Sequence, residues 1–393
     1  MDEIPVRNFA AFLLPLFITI AGAGLGWSTS AALAWLERDD EIVRAFVSTF
    51  RSEKSTALRT ELYRTLLREV GPEKAQDALL ATGIPADGSA HNIQHEAGLY
   101  LYDTRGIEGI VLCKPTFRYA CHHAFVIEAI AERGQKAIPE IMKRCSTEGR
   151  FVATQCAHGI GHGFEALYEY SDLPRAIRDC RSGIGTSSPT NLYWCFAGIF
   201  MENAIGFHEG APSPYRLYNA SDPFYPCNEK FVKKMARRAC LIVQSENTLY
   251  LYPMFNRYIS KAASFCGTQK EGLVRRICFD GLSRQIHQIS RGSNEEMRRL
   301  CKLLGNHLEE PCIATIANNA YFYGDNVTAV ALCDSVREEY RNTCVALVSL
   351  QIRARYDTLS ERVRACEIFS RDEEKETCIK VVESMRRVPR AFR

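Results

Sequence analysis

From Asn326 the chain reads NVTAVALCDSVREEYRNTCVALVSLQIRARYD, and from Thr358 it reads TLSERVRACEIFSRDEEKETCIKVVESMRR. In both, apolar residues recur at helical spacing up to a cysteine. A charged and polar run interrupts them, and helical spacing resumes around a second cysteine. Each unit therefore predicts a helix ending near its first cysteine, a polar turn, and a second helix starting near its second cysteine. β-Branched alternation is nearly absent, so no strand is predicted. Earlier second helices begin CHHAFVIEAI, CAHGIGHGFEAL, CFAGIFMENAIG, CLIVQSENTLY, CFDGLSRQIH and CIATIANNAYF. QHEAGLYLY belongs with them and carries Gln94 in the place of cysteine. Ahead of these, residues 42–70 and 73–82 predict two more helices, separated by a stop and restart at Gly71-Pro72-Glu73.

The 16 cysteines of the 393-residue chain contain no C-x-x-C and fall into successive pairs with 7 to 14 residues between members. That spacing suits neither a zinc ribbon nor an iron–sulfur cluster. It suits local disulfides in an oxidising compartment, neighbour with neighbour, each contributing about 2–3 kcal/mol. First cysteines of successive pairs lie 32, 35, 47, 39, 35, 32 and 33 residues apart. A period near 33–35 residues is the mark of an array. One helical hairpin cannot bury its apolar face alone, so the expected fold is all-α, a solenoid of stacked α/α hairpins, each stapled by a disulfide.

In period, helix pattern and paired cysteines, about residues 85–385 resemble the tetratricopeptide and Sel1-like repeat families, and among them the secreted cysteine-rich Sel1-like proteins. The resemblance implies a concave groove that binds a protein partner.

Residues 9–35, FAAFLLPLFITIAGAGLGWSTSAALAW, carry no charge and are long enough to span a bilayer. The reading is an uncleaved signal anchor. Small residues at Ala21, Ala23 and around Ser30 leave cleavage, and hence secretion, as the alternative. Either way the bulk of the chain is expected to be periplasmic or extracellular. A net charge of +3 gives no argument for nucleic acid. The expected organisation is an anchor over 1–38, a helical cap over 39–84, histidine-rich repeats over 85–205, a Pro- and Gly-rich loop over 206–226, and plain repeats over 227–393.

Six of nine histidines fall in three consecutive units: His91 and His95, His122 and His123, His158 and His162. The i, i+4 pairs 91/95 and 158/162 put two imidazoles on one helix face, able to chelate one ion. Stacked repeats bring equivalent positions side by side, so His123 and His158, each two after its cysteine, are expected to meet. All six are candidate ligands of a transition metal, with zinc, iron or copper the expected ions. Glu128 and Glu202 are the candidate bases if the metal activates water or oxygen. No H-E-x-x-H, C-x-x-C-H, P-loop or G-x-S-x-G is present. The expected function is a membrane-anchored, extracytoplasmic metal-binding repeat protein, with a disulfide-stapled interaction scaffold as the alternative. Gly159 occupies a repeat position that is small in every N-terminal unit, as close helix packing requires. Gly161 and Gly163 require either tight packing or the approach of a bound group.

Overall fold

The computed structural model describes residues 25–84, 88–205, 215, 224–247, 255–290, 293–305 and 307–384. Among them the regular structure is entirely helical. The N-terminal part comprises α1 (Leu25–Ser52), α2 (Thr56–Val70) and α3 (Pro72–Ala81). The single helix expected over 42–70 is thus two. The Glu53 carboxylate accepts the backbone N–H groups of Lys54 and Ser55 at 2.7 Å, and the Ser55 hydroxyl caps α2 by accepting from Leu58 N–H. These local bonds satisfy the chain outside a helix and so end α1. The predicted stop holds: Gly71 has φ +80°, and Pro72 opens α3.

Then follow α4 (Gly88–Arg105), α5 (Ala120–Arg133), α6 (Ile138–Thr147), α7 (Arg150–Leu167), α8 (Leu173–Ile184) and α9 (Pro189–Ile205). The C-terminal part contains α10 (Met235–Asn247), α11 (Phe255–Thr268), α12 (Gly272–Ile289), α13 (Asn294–Lys302), α14 (Glu309–Phe322), α15 (Asn326–Ser335), α16 (Glu338–Arg355), α17 (Leu359–Ala365) and α18 (Asp372–Glu383). Helices α4, α5, α7, α9, α10, α12, α14, α16 and α18 form a row in which each packs on the next. Helices α6, α8, α11, α13, α15 and α17 each pack on the row member that follows them.

All eight disulfides join sequence neighbours, as expected, across separations of 8 to 15 residues. No cysteine is free. Together they mark an oxidising, extracytoplasmic environment. The second cysteine mostly sits deeper than the expected first turn: Cys156, Cys195, Cys278 and Cys344 are each six residues into their helices. The polar turns begin the second helices early, so the staple falls in the second turn. Where Gln94 replaces a cysteine, a buried polar network substitutes. The Tyr63 hydroxyl donates to Gln94 (2.9 Å), Gln94 donates to Gln76 (2.9 Å), and Gln76 donates to the Leu112 carbonyl (2.9 Å).

The row bends until distant units touch. Arg150 at the start of α7 pairs with Asp357 beyond α16 at 2.5 Å, 207 residues away. Phe322 at the end of α14 stacks on Trp194 of α9, with centroids 5.5 Å apart, and meets Phe151 edge-on. Arg118 lies 4.0 Å over the Tyr323 ring.

Among the described residues no helix is long and apolar enough to cross a membrane. The expected anchor over 9–35 lies outside them up to residue 24, and α1 begins at Leu25. The loop expected over 206–226 falls mostly outside them as well.

Candidate metal centre

Helices α4, α5, α7 and α9 approach closely because glycines line their contacts. A methyl at Gly161 of α7 would come within 2.7 Å of the Ile199 nitrogen and closer still to the Cys195 carbonyl of α9. Gly198 answers from α9, where a methyl would press on the His158 carbonyl. Gly163 meets the Ile130 side chain of α5, and Gly98 of α4 meets the backbone of α5. The three glycines of CAHGIGHGF are therefore packing residues, Gly161 and Gly163 included. Gly159 and Gly163 bring α7 against the histidine-bearing helix α5, as Gly98 does for α4.

His91 and His95 stand one turn apart on α4, His123 lies in the first turn of α5, and His158 and His162 stand one turn apart on α7. His123, His158 and His162 are buried, and His91 and His95 are half-buried. The Nε2 atoms of His91 and His95 are 3.0 Å apart, and those of His158 and His162 are 3.1 Å apart. The His123 ring lies between the pairs, with centroids 5.6 Å from His91, 5.0 Å from His158 and 5.6 Å from His162. One ligand atom each from His91, His95 and His123 falls within a 4.8 Å group. Nε2 of His123 is buried without a hydrogen-bond partner.

The outer nitrogens are held. His91 Nδ1 donates to the Phe117 carbonyl (2.8 Å), and His158 Nδ1 donates to the Trp194 carbonyl (3.3 Å). His162 Nδ1 donates to the Glu202 carboxylate (2.8 Å), which also accepts the Tyr170 hydroxyl (3.2 Å). Such bonds fix the tautomer and aim Nε2, the usual outer support of metal-binding imidazoles. They also create a conflict. With hydrogens on both Nδ1 atoms, neutral His158 and His162 direct two lone pairs at each other across 3.1 Å. A cation between them removes the repulsion. Burial holds His158 well below the ordinary histidine range, so His158 itself does not carry a proton at neutral pH. A tetrahedral metal with bonds of about 2.0–2.1 Å sets its nitrogens about 3.3 Å apart, close to the separation found.

No family model, curated protein or solved structure matches this chain. The site is accordingly argued from its own chemistry. Its donors are imidazoles with a carboxylate behind them, and every cysteine is in a disulfide, so no thiolate competes. Zinc, copper, iron and nickel suit such donors. Burial keeps His123 well below its usual value and His91 at about 4, so both are unprotonated at neutral pH, the form in which an imidazole can bind a metal.

Five of the six candidate histidines thus converge, and the sixth does not. His122 follows the helix about 100° round from His123, packs against Tyr119 and is buried. Glu128 is also apart: it is exposed on α5 and lines an outer surface pocket with Tyr102, Asp103 and Glu132. Glu202 is at the centre, but on the far nitrogen of His162, as an orienting group. Three contributors had no signal in the sequence. The Phe117 and Trp194 carbonyls act through backbone atoms that any residue could supply. Phe117, Arg118 and Tyr119 all have left-handed backbones (φ 47°, 61° and 61°), which aims the first of these carbonyls. Glu169 and Tyr170 are left-handed too (φ 48° and 60°), at the end of α7 where Tyr170 reaches Glu202. Non-glycine residues avoid this region unless their surroundings hold them there.

Proposed function

We propose that this chain is an extracytoplasmic, membrane-anchored α/α solenoid whose N-terminal units bind a transition metal through His91, His95, His123, His158 and His162. The observation that carries this is the opposed Nε2 pair of His158 and His162, whose other nitrogens are both committed as donors. The row of stacked hairpins and the neighbour disulfides support the Sel1-like architecture, and residues 9–35 support the anchor. Metal binding is the role best supported. Glu202 serves it by orienting His162, and His122 packs beside the centre. Catalysis at the metal would need a base other than Glu128, which faces outward.

The test is metal content after purification of the oxidised chain without chelators. Zinc, copper or iron is expected in the wild type and absent from His158→Ala/His162→Ala, with helicity and disulfides unchanged. No metal in either protein, even after reconstitution with each ion, would reject the metal reading and leave an interaction scaffold.

A further inference from the structure

The Phe117 carbonyl that holds His91 Nδ1 belongs to an unusual piece of chain. Phe117, Arg118 and Tyr119 are consecutive left-handed residues, and none is glycine. L-residues visit this region singly and at a cost, so three in succession persist only where the surroundings hold them. The Cys113–Cys121 disulfide ties the two ends of the segment together but leaves the torsions between them free. Part of what holds the middle comes from the far end of the chain. The Arg118 guanidinium lies 4.0 Å over the ring of Tyr323, the residue that follows α14. Among the described residues that guanidinium makes no ion pair and no hydrogen bond, so the Tyr323 ring is its partner. Arg355, the last residue of α16, sets its guanidinium against the Tyr119 hydroxyl. The same guanidinium donates to the Phe322 carbonyl (3.2 Å), which ties it to the end of α14 beside Tyr323.

We infer that the C-terminal units complete the histidine centre: Tyr323 and Arg355 are positioning residues that grip Arg118 and Tyr119, keep this segment left-handed, and so aim the Phe117 carbonyl at His91. This rests on the metal-binding reading above and adds to it the part played by the closing of the row. The link is geometric. The peptide plane that carries the Phe117 carbonyl is set by ψ of Phe117 and φ of Arg118. If Arg118 returns to an ordinary negative φ, that plane turns and the carbonyl leaves His91 Nδ1. An unheld imidazole loses its fixed tautomer and its aim, which weakens its hold on a metal. Metal at His91 and closure of α14 and α16 then favour the same state of one segment, so each strengthens the other by the same factor.

The experiment uses the full oxidised chain with Zn(II) as the probe, its affinity measured by chelator competition. Tyr323→Ala and Arg355→Met should each weaken zinc binding by about 10-fold, as loss of an outer support does. Tyr323→Phe keeps the ring face under Arg118 and should bind zinc as the wild type does. Hydrogen exchange supplies the reciprocal readout. Zinc should slow exchange of the backbone amides at 322–325 in the wild type, and Arg118→Ala should abolish that effect. A Tyr323→Ala protein that is less stable but binds zinc unchanged would make the contact merely structural and overturn the inference, leaving the metal-binding function standing. Exchange at 322–325 that ignores zinc in the wild type would overturn it too, and decides the matter even if a variant fails to fold. No zinc bound by the wild type would overturn both readings.

Discussion

Replacing Gly161 by alanine probes how the centre is assembled. In most helix interiors this change stabilises by about 0.5–1 kcal/mol, because glycine costs more backbone entropy. Here the added methyl would lie 2.7 Å from the Ile199 nitrogen and closer to the Cys195 carbonyl, and the obstacle is the backbone of α9. A side-chain tip could rotate away, but a helix backbone must translate by about 1 Å to restore contact distance, and overpacking of this kind costs about 1–3 kcal/mol. The unyielding partner puts the cost at the upper end, so the net loss is about 2 kcal/mol. The same translation would stretch the 2.8 Å bond from His162 to Glu202 past hydrogen-bonding range. Gly161→Ala should therefore lower both the denaturant midpoint, with disulfides intact, and the metal affinity. Gly267→Ala in α11, where a methyl meets open space, is the matched control and should be neutral or stabilising by up to about 1 kcal/mol. A Gly161→Ala protein as stable as wild type, with unchanged metal affinity, would refute the account of how these helices meet.

Two further outcomes follow from the same geometry. Glu202→Ala should weaken metal binding by about 10–100-fold in chelator competition, with helicity unchanged, because an unheld His162 loses its aim; unchanged affinity would remove Glu202 from the centre. Burial lowers His122 to about 4 against about 6.5 unfolded, so between those values the unfolded chain binds the proton and the folded chain does not. The metal-free protein should thus lose up to about 3 kcal/mol from this group as pH falls from 7 to 4, and His122→Leu should flatten that limb of the pH–stability curve. An identical acid limb in the variant would count against a buried neutral His122.

The reach of the sequence ended where backbone geometry took over. Cysteine spacing carried the hairpins and their disulfides because short loops leave each cysteine only one near partner. The i, i+4 histidines were legible because helical periodicity fixes which residues share a face. His122 and Glu128 were drawn in by proximity along the chain, yet 100° of helix rotation per residue separates neighbours that a string of letters places together. The break at residues 53–55 depends on a carboxylate folding back on its own backbone, a local choice that hydrophobic patterning does not register. The left-handed run at Phe117–Tyr119 and the contact of Arg150 with Asp357 depend on the assembled fold and leave no local trace.

The shortness of the disulfide loops bears on how the molecule is made. A chain entering an oxidising compartment from its N-terminus meets its cysteines one at a time. Because every partner lies within 15 residues, each odd cysteine waits only briefly before its mate arrives. Each hairpin can be sealed before the next emerges, and the vast number of ways to pair sixteen thiols is never sampled. The histidine-bearing units are sealed first, so the clustered histidines are in place while the C-terminal helices that close over Trp194 and Phe151 are still being delivered.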